Sequence, residues 1–276
     1  MVTPIDVITA YIIYFLPTIT LSLLTVLIGL IVYYFGKKRN LWLMENTFSS
    51  ISHGSGKRIT ELKLVEESTM GRTYLAEVKP DLSVTNFRIH FTMVHRHLIL
   101  SKIASIIRKR RDYILLEADP SDKVVNRYQL EILPRREHNR IKKLVDMLGK
   151  LQTLEIRNPR FEESFIARVN DSDFFEAIFQ KNKRLIQILF NQRNHIVRVS
   201  LYPLESPSIR VVAELNEQVN PKLLIDVIFF SAAAITSVAK KGFFAKQKAG
   251  LRVVPDKTLE KDKERFAKPY EKRILK

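Results

Sequence analysis

Few side chains in this chain are equipped for covalent chemistry. Cysteine is absent, which removes disulfides, thiolate metal sites and cysteine nucleophiles, and suits a reducing compartment. Of six histidines, only His90, His95 and His97 cluster. His95 and His97 alternate so that both rings can share one face of a strand, the geometry of a metal pair. The segment is basic, with no carboxylate close in sequence, which favours a surface reading. Asp171 and Asp173 could act as paired carboxylates. They stand in Asn170-Asp171-Ser172-Asp173, just ahead of Phe174, Ala177 and Ile178, where helix capping accounts for them. Asp226 lies in an apolar helix and calls for an Arg partner. No P-loop, Gly-rich dinucleotide turn, GxSxG or HExxH is present. We therefore assign no catalytic residue, metal ligand or cofactor, and expect a non-enzyme. What remains is cationic. Arg108, Lys109, Arg110 and Arg111 are consecutive; Arg136, Arg140 and Lys143 line one stripe of a helix; Lys240, Lys241, Lys246 and Lys248 open a basic tail. Such groups hold phosphates, either of RNA or of lipid headgroups, or an acidic protein.

One stretch decides where these groups work. Ile12 to Tyr34 reads IIYFLPTITLSLLTVLIGLIVYY, 23 residues without a charge. A helix rising about 1.5 Å per residue needs roughly 20 such residues to cross a hydrocarbon core. Ile12, Pro17, Leu24 and Tyr34 mark its length, and Thr18, Thr20, Ser22 and Thr25 are small enough to bond back to the helix's own carbonyls. Pro17 is expected about one turn from the helix start, where few bonds are lost. Tyr11, Tyr14 and Phe15 at one end and Tyr33, Tyr34, Phe35 and Trp42 at the other make aromatic belts. A signal peptide would carry its basic residues before the apolar run; here Lys37-Lys38-Arg39 follow it. The same asymmetry predicts a single-pass protein with its amino end outside and residues 36–276 in the cytoplasm. Asp6 is the only charge before residue 36, so residues 36–276 carry 46 basic against 28 acidic residues, +18 where the whole chain carries +17.

The predicted architecture is α+β: one N-terminal transmembrane helix, then a cytosolic domain with mainly antiparallel sheet, then a basic extension. Five parts are expected: an anchor over 1–36, a juxtamembrane helix and joint over 37–58, a first α+β lobe over 59–152, a second over 153–241, and a tail over 242–276. Leu41, Met44, Phe48 and Ile51 share one face that either docks the domain or lies in the interface. Period-two patterns place strands at 59–65, 72–78, 84–94, 113–118, 127–133, 164–169, 196–201 and 209–215, the last two as a hairpin. Helical spacing covers 98–110, 135–151 and the run after Asp173. Asn220-Pro221 caps a long helix, apolar on almost every side from Leu223 to Ala239. A buried central helix is the preferred reading and a second span the alternative, since Asp226 would be costly in lipid. From Lys240 onward, 13 basic residues meet 5 acidic ones, a solvated extension.

This order of elements resembles the calumin family, the coiled-coil membrane protein of the PAT complex in the multipass translocon. The resemblance spreads over Phe87 to Lys248: the unit ending in Arg108-Lys109-Arg110, the strand Tyr128-Gln-Leu-Glu-Ile, the basic helix through Leu151, and Leu223 to Val238 leading into Lys240-Lys241. The chain differs in having no long acidic region before the span and a much shorter tail; with its lack of cysteine, that form fits an archaeal relative. The resemblance implies a ribosome-associated factor of membrane-protein biogenesis. Its partners would be ribosomal RNA and other membrane-insertion proteins, with neither DNA nor a small-molecule substrate. The alternative is a membrane-anchored scaffold for anionic lipid and partner proteins.

Overall fold

The computed structural model describes residues 4–54, 58–68, 70–80, 82–94, 96, 110–121, 128–137, 151–156, 158–202 and 207–248. Its first element, α1 (Pro4–Gly54), is 51 residues long, about 75 Å of helix. Along the apolar run, Thr18, Thr20, Ser22 and Thr25 each donate to the carbonyl four residues back, at 2.8–2.9 Å. Each hydroxyl is thereby satisfied within its own helix. Pro17 is not near the helix start, as the sequence suggested. It lies inside the helix and leaves the Ile13 carbonyl without its backbone donor. The juxtamembrane segment, open in sequence to either a continuation of this helix or a short helix beside it, continues the same helix.

Among the described residues nine strands follow: β1 (Ile59–Ser68), β2 (Gly71–Val78), β3 (Val84–Thr92), β4 (Tyr113–Pro120), β5 (Leu130–Pro134), β6 (Gln152–Leu154), β7 (Phe165–Val169), β8 (Ile196–Leu201) and β9 (Ile209–Glu214). They form one sheet in the order β1-β2-β3-β4-β9-β8-β5-β7-β6, with every pairing antiparallel. The chain is thus mixed α+β with an antiparallel sheet. That sheet runs across the boundary expected between two lobes: β4 pairs with β9, and β5 sits between β8 and β7. Gly71 is fixed by close approach, since a Cβ there would lie 2.1 Å from the Phe91 carbonyl oxygen. Asn86, at φ 50°, occupies the left-handed region inside the β3–β4 irregularity, a conformation its short polar side chain tolerates.

Four further helices are defined among the described residues: α2 (Pro159–Ser164), α3 (Ser172–Lys181), α4 (Lys183–Asn191) and α5 (Pro221–Lys248). Their starts share one device. The side chains of Asn158, Asp171, Asn182 and Asn220 accept from the backbone N–H three residues on. Asp171 is thus a cap, as the sequence suggested, and Asp173 lies in the first turn of α3. One face of the sheet, carrying Phe87, Ile89, Ile114, Leu116, Val211 and Val199, joins Leu224, Ile228 and Ala232 of α5 in a single core. Phe87 and Phe229 rings lie 5.9 Å apart. Each large apolar side chain buried here contributes about 1.5–3 kcal/mol. The buried-helix reading of Leu223–Ala239 holds: Leu224, Val227 and Ile228 are wholly buried. The helices expected over 98–110 and 135–151 lie outside the described residues, except that residues 135–137 begin a helical turn. The tail beyond 248 also lies outside them.

Candidate functional site

The junction between α1 and the domain gathers the most polar chemistry. Past residue 35, α1 buries Gly36, Asn40, Leu43, Met44, Thr47 and Ile51, with Leu41 and Phe48 packed alongside. These fall at helical spacing on one face. Phe48 stacks on Tyr74 of β2 at 4.6 Å. Asn40 is completely buried, and its amide is used at both ends. Its Nδ2 donates to the Val94 carbonyl at 3.1 Å, while its Oδ1 accepts from Arg96 at 2.8 Å. The same guanidinium grips Asp112, one residue before β4, through Nη1 at 2.9 Å and through Nη2. Asp112 Oδ1 also accepts from the Val94 N–H at 2.7 Å. A buried carboxylate with a bidentate Arg and a backbone donor has its desolvation largely offset. Beside this cluster, Arg39 meets Glu217 at 3.5 Å, an exposed pair.

A second fastening lies deeper. Arg58, just before β1, pairs with Asp226 of α5 and lays its guanidinium over Phe229 at 5.3 Å and Phe230 at 5.8 Å. The Arg partner expected for Asp226 is therefore present, 168 residues away in sequence.

The sheet face opposite the main core carries a row of charges. Register places Arg88, Glu117, Arg210, Ser200, Glu131 and Arg168 side by side on β3, β4, β9, β8, β5 and β7. Opposite signs on neighbouring strands favour one register over its slips. Glu117 takes Arg210 at 2.9 Å and the His90 Nε2–H at 3.0 Å. His90 Nδ1 lies 3.1 Å from the Thr73 hydroxyl. Burial alone would push the Glu117 carboxyl up; the hydrogen bond from His90 and the charge of Arg210 outweigh it and hold the carboxyl below its ordinary range. Fully buried Glu131 takes Arg198 at 2.5–3.0 Å and the Tyr202 hydroxyl. These groups neutralise one another, and no cluster of three or more metal-ligating side chains occurs among the described residues. His95 and His97 lie outside them.

The cationic residues singled out in the sequence do not gather into one described patch. Arg110 is exposed, and Arg111 is spent on Glu214 of β9. Arg136 donates to the Asn194 carbonyl at 2.5 Å. Burial and the Arg136 charge together push the neighbouring His195 imidazole down. Arg108, Lys109, Arg140 and Lys143 lie outside the described residues. Lys240, Lys241, Lys246 and Lys248 continue the backbone of α5 beyond its buried part. Ile12, Pro17, Leu24 and Tyr34, expected to mark a span, are all exposed. Sequence reasoning missed Asn40, Arg96 and Asp112. The only local signal was an amide at position 40, four residues before Met44 on the docking face.

No protein-family model matches the chain, and no curated protein matches it in sequence. Among the described residues, α1 is the one helix long and apolar enough to cross a membrane, and it lies near the N-terminus.

Proposed function

We propose that this chain is a single-pass membrane protein whose amino end lies outside and whose domain, in the cytoplasm, docks ribosomes during membrane-protein biogenesis. In this reading it is a binding module and not an enzyme. It holds ribosomal RNA and keeps membrane-insertion partners close. One observation carries the reading. The apolar helix passes unbroken into the domain core through Asn40, Met44 and Ile51, so an anchor of this kind would hold a domain of charge +18 at a fixed pose beside the bilayer. Lys37, Lys38 and Arg39 at the end of the apolar run support the orientation, and the calumin resemblance supports the partner. Arg111 and Arg136 also have internal partners; in this reading RNA contact is shared by Arg108, Lys109, Arg110, Arg111, Arg136, Arg140, Lys143 and the lysines Lys240, Lys241, Lys246 and Lys248.

The test is co-sedimentation of the detergent-solubilised protein with ribosomes across a salt series. Replacing Lys240, Lys241, Lys246 and Lys248 with Glu should weaken binding and flatten the salt slope by roughly 0.7–0.9 per lost phosphate contact. Changing Arg140 and Lys143 to Glu should act in the same direction. Unchanged co-sedimentation in both variants would refute RNA docking. Digestion of the domain by protease added outside sealed right-side-out vesicles would refute the orientation.

A further inference from the structure

A cleft of about 430 Å³ opens where α1 leaves its apolar run, lined by Ile31, Val32, Phe35, Gly36, Arg39 and Arg96. Its composition changes along the helix axis. Ile31 and Val32 line it from within the run and Phe35 from just beyond it, followed by a buried glycine that contributes no side chain and then by Arg39 and Arg96. Arg39 lies five residues beyond Tyr34, about 7.5 Å along the axis. A polar headgroup layer is roughly that deep outside the hydrocarbon.

The two guanidinium groups have donors to spare. Arg39 is 59 % exposed, and its one described partner is Glu217 at 3.5 Å, itself 60 % exposed. Such a pair is worth little in water and yields readily to a phosphate held bidentately. Arg96 gives three of its five N–H groups to Asn40 and Asp112. The remaining two, on Nε and Nη2, meet no described acceptor. Asp112 offsets the charge of Arg96 but also locks its plane, so those two donors are oriented before any ligand arrives.

We propose that this cleft binds one anionic phospholipid of the leaflet on the domain's side, its phosphate held by Arg39 and Arg96 and its acyl chain laid along Ile31, Val32 and Phe35. The proposal rests on the reading of α1 as a membrane span. The lipid would fill the re-entrant corner between helix and domain, and the fixed pose of the domain would then depend on headgroup charge.

The experiment uses full-length protein purified in mild detergent, titrated separately with phosphatidylglycerol and phosphatidylcholine, with bound lipid counted by native mass spectrometry. Phosphatidylglycerol should be retained at about one per chain and phosphatidylcholine at least about fivefold less, the effect of one favourable cation. Arg39→Gln should lower phosphatidylglycerol retention by about fivefold. Arg39→Lys should restore most of it, and Val32→Trp should lower retention of both lipids by filling the cleft. Arg160→Gln, in α2 beside β7, should change nothing. Excess inorganic phosphate should leave the lipid bound; complete displacement would mean a free-phosphate site and overturn the proposal. Equal retention of the two lipids, or retention indifferent to Arg39→Gln, would overturn it as well. Alkaline carbonate extraction of native membranes separates the two readings. Protein released by carbonate defeats the span, whereas protein that stays yet shows no headgroup preference defeats only the lipid site.

Discussion

The two halves of α1 are one uninterrupted helix with opposite surroundings. In the first, Tyr14, Leu24 and Phe35 are 72, 51 and 63 % exposed; in the second, Asn40, Met44 and Ile51 are wholly buried. Their polar groups are satisfied in opposite ways. Thr18, Thr20, Ser22 and Thr25 bond to carbonyls one turn away. Asn40 reaches partners 54 and 56 residues off in sequence. A segment that settles its own polar groups can move between environments as a unit. A segment whose polar groups depend on distant partners is tied to one fold. The boundary between the two is Gly36.

A charge placed in each half should separate them most sharply. Met44→Asp, which puts an unpaired carboxylate into the core, should cost more than about 4 kcal/mol and leave the domain unfolded by circular dichroism. Leu24→Asp should leave the domain's unfolding curve unchanged and lower membrane insertion, at a cost of about 2.5–3.5 kcal/mol. If both variants fail in the same assay, the halves are not independent. Next in size is Asp112→Ala, which strands Arg96 and the Val94 N–H. Chemical denaturation should show a loss of about 3–5 kcal/mol. Asn40→Ala should then cost about 1–3 kcal/mol, against a change within about 0.5 kcal/mol for Thr20→Val. A Thr20→Val effect equal to that of Asn40→Ala would erase the contrast.

The smallest effect concerns acid. The Glu117 carboxyl is held below its ordinary value in the folded domain. The unfolded chain therefore takes up the proton first as pH falls. The contribution of Glu117 is complete above the ordinary glutamate range near about 4.3 and is lost as pH drops through the folded value. Glu117→Gln should flatten the acid side of the domain's stability profile, while the helicity of the 12–34 segment stays constant throughout. His195 adds in the same direction: its depressed value means that stability present above its ordinary range is lost on acidification.

The sequence made local patterns legible and distant ones obscure. The period-two runs became β1 to β4 and the β8–β9 hairpin because each presents Ile, Val, Leu or Phe on one face, a property of the segment alone. Asp171 and Asn220 were readable as caps for the same reason. The joining of the two expected lobes into one sheet was not readable. It depends on β4 pairing with β9 and on β5 pairing with β8 and β7, which no window of sequence contains. Asp226 announced itself by its apolar neighbours, yet nothing near it pointed to Arg58. The junction was hidden because Asn40 lies among Lys37, Lys38, Arg39 and Trp42, a context that reads as surface. Its burial follows from Arg96 and Asp112, each more than fifty residues on.

The strand order also sets a timetable. β1 to β4 pair with their neighbours in sequence, but the far edge of β4 must wait for β9, roughly 100 residues later. At typical elongation rates of 5–20 residues per second, that is about 5–20 s of synthesis. Throughout that interval the half-sheet holds Phe87, Ile89, Ile114 and Leu116 without α5 to cover them, while α1 has long since emerged. Nascent chains of this protein should therefore be most prone to aggregation, and most in need of a chaperone, when stalled between residues 120 and 221. Release should come as Pro221 and the helix behind it clear the exit tunnel.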